Sequence, residues 1–354
     1  MKTTRRYLLY IGTVALGALL FPRCRAMLKQ LLFSPKGKVA SPKGGPPNLF
    51  KKEGRSLVSI VRGEGIDEMV KESIRLIGGL ERLHLKGKEV LVKPNVVAGD
   101  PPPTTTSPEL VKALIALLYQ AGASKVKVGE MSAFITLPTM RNLEKTGMKQ
   151  AALASGAEVV VFDDGPWVEV KHPLAKHVGP FWVAKAVYEA EVFVSLPVIK
   201  THRSASYSLS LKNSIGWVHP RNRPSLYGAK DWEEIVAEVN LAVYPHLIIV
   251  DGLKSMIAGG PWGGEAADTK LLLAGGDLVA IDLVGLGLIK HFGRWEKVAK
   301  LKVWEQRQIK RAIEIELGAR SPEELEIVSR SLIGEDPAFS RLVEAIRAYV
   351  SDES

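Results

Sequence analysis

The chain has 354 residues, 46% of them hydrophobic, enough for one large or two modest domains with a real core. Its net charge of +10 is concentrated at one end: residues 1–55 hold twelve basic residues against Glu53 alone, so the rest sums to −1 and offers no basic face for DNA or RNA. The single cysteine, Cys24, excludes an intrachain disulfide, a self-contained iron–sulfur cluster and a thiolate zinc site.

The N-terminus comes first in chain order. Thr4-Arg5-Arg6-Tyr7-Leu8-Leu9 resembles a twin-arginine export signal, and the apolar run 7–21 that follows is short for a full membrane span. Arg23 and Arg25 after it disfavour ordinary secretion, and no clear small-x-small cleavage site is present. Residues 1–25 are therefore read as a signal or an uncleaved membrane anchor, with a cytoplasm-facing anchor as the alternative. Residues 26–54, rich in proline, glycine and lysine, read as a flexible tether.

Beyond the tether, strand and helix patterns alternate. Residues 56–61 are predicted as a strand, 66–77 as an amphipathic helix and 89–92 as a strand. Residues 108–120 form a helix, with Ser107 as its N-cap, Pro108 at the first position and Gly122 as its stop. Strands follow at 125–128, 158–162 and 167–171, with short helices at 137–145 and 149–155 between them. The second half resumes with strands at 192–195, 246–250 and 270–274 and helices at 231–243 and 277–290. A mostly helical stretch at 294–317, a strand at 326–329 and a helix at 337–350 close the chain. This alternation predicts an α/β fold with a largely parallel sheet flanked by helices. Two lobes are expected, residues 55–190 and 191–354, with a cleft between them; a single wide sheet is the alternative.

The residues that carry chemistry sit where predicted strands end. In open α/β sheets, ligands bind beyond the carboxyl ends of strands. Lys93-Pro94-Asn95 follows one such run and leads to Thr105, Thr106 and Ser107 at a helix N-terminus, a setting that suits a carboxylate or phosphate. Leu196-Pro197-Val198-Ile199-Lys200-Thr201-His202 follows another, with Lys212-Asn213 ten residues on. Lys200 and His202 are the candidate acid/base groups, because lysine lowers its pKa readily when desolvated and histidine titrates near neutrality. Lys93, Asn95, Thr105, Thr106, Lys212 and Asn213 are candidate ligand contacts. Asp251, Gly259 and Gly260 join them, since the glycines let backbone approach a ligand closely. Glu130 at a strand end and Asp282 in an apolar helix are candidate supports, Asp282 as the partner of a site lysine. The bland alternatives are solvated strand ends, helix caps, a mobile glycine loop and internal core contacts. The remaining histidines give no metal spacing, and neither a Walker lysine pattern, a dinucleotide fingerprint nor a nucleophile elbow is present.

With these residues laid out, the chain resembles the family named domain of unknown function 362. The likeness covers about residues 55–330 and rests on Val92-Lys93-Pro94-Asn95, Thr105-Thr106-Ser107-Pro108-Glu109-Leu110-Val111, Leu196-Pro197-Val198-Ile199-Lys200-Thr201-His202, Leu211-Lys212-Asn213-Ser214-Ile215-Gly216 and Val279-Ala280-Ile281-Asp282. Many members carry a cysteine-rich ferredoxin-like module; this chain lacks those cysteines, so autonomous electron transfer does not carry over. The motif style is also similar to that of lactate racemases, which use lysines and histidines in an interlobe cleft on small hydroxy acids. The expectation is a membrane-associated or exported enzyme acting on a small anionic metabolite by Lys/His acid–base chemistry. The alternative is a non-catalytic protein holding a ligand or cofactor for a redox or enzyme partner. The cofactor is left unassigned, and no metal and no nucleic acid are expected.

Overall fold

The apolar runs assemble into one wide mixed sheet in a computed structural model that describes residues 35, 37–43, 45, 48–223 and 227–352. The first half contributes β1 (Gly37–Ala40), β2 (Arg55–Arg62), α1 (Ile66–Leu76), β3 (Glu89–Pro94), α2 (Pro108–Gln120), β4 (Lys125–Glu130), α3 (Thr139–Lys145), α4 (Met148–Ala154), β5 (Glu158–Val161), β6 (Trp167–Val170) and β7 (Phe181–Ala184). The second half adds β8 (Val192–Leu196), β9 (Val198–His202), β10 (Ser206–Ser208), α5 (Ser210–Asn213), α6 (Trp232–Glu238), β11 (Leu247–Gly259), β12 (Gly264–Ala267), β13 (Leu271–Gly275), α7 (Leu278–Phe292), α8 (Arg307–Glu314), β14 (Leu325–Ser331) and α9 (Pro337–Val350).

The main path of the sheet runs β14-β2-β13-β11-β8-β3-β4-β5. Neighbours are parallel except at β13, which is antiparallel to both β2 and β11. Side chains alternate across a strand, and here both faces are covered, so the strands read as unbroken apolar runs. Val90, Val92, Val192 and Val194 join the core under α1 and α2. Leu91, Phe193, Ile248 and Val250 face the opposite core, packed with α7 and α9. A separate three-stranded sheet sets β6 between β1 and β7.

Strands from either side of residue 190 interleave. β2 lies between β13 and β14, and β3 lies beside β8. The pairing is that of a single wide sheet, and a cut at residue 190 would part paired strands in both places. Part of the expected tether is also ordered into β1, whose residues pair in parallel register with Trp167–Val170.

Two strands are longer than their apolar runs, and this positions the site. β3 continues through Lys93, and after Pro197 the chain re-enters the sheet as β9, whose residues Val198 and Lys200 pair with the extended β11. Lys93, Lys200 and His202 thus lie within strands instead of in loops beyond them. A charged residue tolerates such a place only when its polar atoms find partners.

Among the described residues, no helix is long and apolar enough to cross a membrane. The expected signal or anchor, residues 1–25, lies outside the described residues.

Candidate functional site

Strand alternation puts Lys93 on the same face as Leu91, and the β3–β8 register sets it opposite Ser195. Its ammonium is fully buried. Lys93 Nζ reaches Glu130 Oε2 at 2.7 Å, Asn213 Oδ1 at 3.1 Å and the carbonyl of Pro94 at 3.0 Å. Burial lowers the Lys93 pKa and raises that of Glu130, while each charge opposes the shift of the other. The indole of Trp217 lies 6.0 Å from the ammonium. Gly216 makes this packing possible: a Cβ there would fall 2.4 Å from Lys93 Nζ and 2.7 Å from Glu130 Oε1.

Asn213 ties three elements together. Its amide nitrogen donates to Ser195 Oγ at 2.9 Å, and its oxygen also accepts from Asn95 Nδ2 at 3.2 Å. Asn95 Oδ1 in turn accepts from Lys200 Nζ at 2.6 Å, and the second bond of Lys200 goes to the carbonyl of Thr104 at 2.8 Å. Glu130, Lys93, Asn213, Asn95 and Lys200 therefore form one continuous chain of hydrogen bonds from β4 to β9. Burial, with Lys212 and Lys93 nearby, holds the Lys200 pKa well below the ordinary lysine value.

His202 and Lys212 stand at the open end of this chain. Both line a pocket of 460 Å³ with Arg203, and its remaining walls include Val97, Ala133, Phe134, Ile135, Tyr227, Pro261 and Trp262. The described lining holds no carboxylate. His202 Nδ1 accepts from the backbone N–H groups of Ser204 and Ala205 at 3.2 Å each. That assigns the proton of a neutral ring to Nε2. Burial, then the charges of Lys212, Lys200 and Lys297, keep the His202 pKa well below its ordinary value, so the ring is neutral near pH 7. Burial, then Arg223 and Lys93, bring the Lys212 pKa down to about 7. Its ammonium lies 5.9 Å from the Trp232 ring, and among the described residues no hydrogen bond to it is found.

The other expected contacts have internal partners. Thr105 Oγ1 donates to the carbonyl of Asp100, and Thr106 Oγ1 donates to that of Leu196. Asp251 is buried, and its oxygens accept from Ser107 N at 2.7 Å and Leu253 N at 3.1 Å. The start of α2, expected to face a ligand anion, thus already holds a carboxylate from β11. Asp282 also departs from expectation. It accepts from the N–H groups of Ser210 and Leu211 and from the Ser210 hydroxyl, not from a lysine, and burial raises its pKa to about 7. Four N-terminal groups of the short α5 need acceptors, and a buried carboxylate on α7 meets two of them. Gly259 and Gly260 form the β11–β12 turn, where a Cβ on Gly260 would sit 2.2 Å from the Thr201 carbonyl. The turn presents Pro261 and Trp262 to the pocket.

Four contributors are absent from the candidates read from sequence: Arg223, Phe134, Ile135 and Trp262. Arg223 is buried and donates to the carbonyls of Val218 and Ser132 at 2.8 and 2.6 Å, fixing the loop after β4. Nothing local distinguishes it from a solvated arginine. Phe134 and Ile135 read as ordinary apolar residues. Trp262, by contrast, stands between Gly259-Gly260 and Gly263-Gly264, and an aromatic residue in a glycine turn was a usable signal. Among the described residues no group of three His, Cys, Asp or Glu side chains converges as a metal site.

Comparison with known proteins agrees with the motifs. Over 215 residues the chain is 28% identical to a thylakoid-associated protein of Synechocystis sp., covering 59% of this chain and 65% of that relative's length. A solved lactate racemase apoprotein from Thermoanaerobacterium thermosaccharolyticum aligns with 61% of this chain and 53% of its own, at 14% identity and a TM-score of 0.40. The family described as Domain of unknown function (DUF362) matches residues 90–287, a span holding Lys93, Asn95, Glu130, Lys200, His202, Lys212 and Asn213, and the chain belongs to that family.

Proposed function

We propose that this protein is a membrane-associated enzyme that moves a proton on a small anionic metabolite, with Lys212 and His202 at the reacting centre. One observation carries the reading: the pocket collects Lys212, His202 and Arg203, and its described lining holds no carboxylate to balance them. A lysine with a pKa of about 7 is divided between acid and base at neutral pH, the condition for efficient proton transfer. Neutral His202, with its proton on Nε2, is a hydrogen-bond donor toward an oxygen that gains charge as a proton leaves the neighbouring carbon. Lys200 has a different part from the one expected of it. It is only 1% exposed, and both its hydrogen bonds are internal, so it holds Asn95 and the Thr104 carbonyl in place. Lys93, Glu130 and Asn213 support the wall from behind.

Proton transfer at carbon is read directly by NMR. The full chain, incubated in D2O with a panel of small carboxylic acids, is expected to exchange a C–H next to the carboxylate of its substrate. Exchange should be lost in Lys212→Met and His202→Gln with the fold intact by circular dichroism. It should also speed up as pH rises through about 7, where Lys212 becomes the free base. Saturable binding with neither exchange nor product would instead make this a binding protein that serves a partner.

The charge of residues 1–55 and the description of the Synechocystis relative support the membrane part of the reading. The full chain is expected to float with vesicles containing anionic phosphatidylglycerol, and a chain lacking residues 1–34, which keeps β1 and Phe50, is expected to stay in the aqueous fraction. Failure of the full chain to float would count against it.

A further inference from the structure

The walls of the pocket differ in kind from its charged end. Ile135 is 52% exposed, and Tyr227 and Trp262 are each 39% exposed. Large apolar side chains left open in a folded protein mark a contact when they gather in one place. These three gather on one pocket, with Phe134 buried beside them. The tryptophan is placed there by a turn whose glycines adopt positive φ at 259, 260 and 263, and Arg203 N holds the turn by donating to the Gly260 carbonyl at 3.3 Å. At the other end stand Lys212, His202 and Arg203.

We infer that the pocket takes an amphipathic anion, a carboxylate-type head joined to a flat, apolar, aromatic body. The inference rests on the reading given under Proposed function and names the substrate class of that same site. A short polar acid satisfies the cationic end and leaves Ile135, Tyr227 and Trp262 facing water. A volume of 460 Å³ falls within the range of about 300–1,000 Å³ typical of sites that bury a whole organic ligand. Rings prefer offset-stacked or edge-to-face contact with other rings, and Trp262 and Tyr227 place aromatic rings on the exposed wall of the pocket. A flat body also needs little lost rotational freedom to be held between them.

The test is calorimetric titration of the full chain with three probes of graded chemistry: L-lactate, 1-naphthoate and the uncharged 1-naphthamide. Naphthoate is expected to bind at least about tenfold tighter than lactate, from burial of its ring system. Naphthamide should bind at least about tenfold more weakly than naphthoate, because it lacks the charge. Trp262→Ala should narrow the gap between naphthoate and lactate by about fivefold or more, and Ile135→Ser should act in the same direction. Lactate binding as tightly as naphthoate, or unmoved naphthoate affinity in both wall variants, would overturn the inference while leaving the small-anion reading standing. Binding of naphthamide equal to that of naphthoate, or no binding of either acid, would overturn both.

Discussion

Glu130→Ala is expected to destabilise the protein by about 3–5 kcal/mol, because it leaves the Lys93 ammonium buried without its counter-charge. Urea unfolding followed by circular dichroism measures the loss. Asn213 Oδ1 and the Pro94 carbonyl remain as acceptors, but neither is charged. The double variant Lys93→Met/Glu130→Leu removes both charges and fills a similar volume, so it should return to within about 1–2 kcal/mol of the parent. Stability alone therefore gives little reason to keep a charged pair at the centre of this sheet. If the double variant is folded but has lost proton exchange, the pair is there for the pocket: it positions Asn213, and its cation helps keep the Lys212 pKa low. A double variant as unstable as Glu130→Ala, or one that retains full exchange, would contradict this account.

The same pair explains what could and could not be read from the sequence. The strands were legible because Val90, Leu91 and Val92, and Val192 to Val194, are buried on both faces and form unbroken apolar runs. The apolar run stops at Lys93, so the strand was expected to stop there too. In the structure it continues through Pro94, because Glu130 comes from β4 to meet the lysine. A similar extension hid β9, where Lys200 is accommodated by Asn95 and the Thr104 carbonyl. Periodicity registers side-chain type along one segment, and these partners lie 37 to 105 residues away. That distance also explains Asp282 and Asp251. Asp282 was recognisable as a carboxylate needing a partner and Asp251 as a candidate ligand contact, but their backbone donors at Ser210, Leu211 and Ser107 come from chain folding that no local pattern encodes. The sequence did bring Lys93, Asn95, Lys200 and Asn213 to one place, and there they share hydrogen bonds. It ranked Lys200 above Lys212 because only the folded chain reveals which lysine opens onto the pocket.

Lys212→Met is expected to make the protein more stable and worse at binding anions. The wild-type ammonium is held among Arg223 and Lys93, away from most water, with no hydrogen bond among the described residues. Folding therefore works against its charge, as the fall of its pKa to about 7 records. The pH dependence follows from the protons bound in each state. Unfolded, the lysine keeps its proton up to about 10.5; folded, it releases it near 7. Between those values the unfolded chain binds more protons, so this group makes stability rise with pH across the window and adds no slope below it. Methionine keeps the apolar stem and removes the charge. The variant should gain about 0.5–2 kcal/mol at pH 6, and part of the wild-type rise between pH 7 and 10 should vanish from its thermal unfolding curve. Affinity for a carboxylate at pH 6 should fall by about 10–100-fold, the worth of a hydrogen bond to a charged group. Opposite signs in the two measurements are the diagnostic outcome. A residue kept for packing would lose stability on replacement, and a solvated surface lysine would change neither quantity. A variant that loses both stability and affinity would put its role elsewhere.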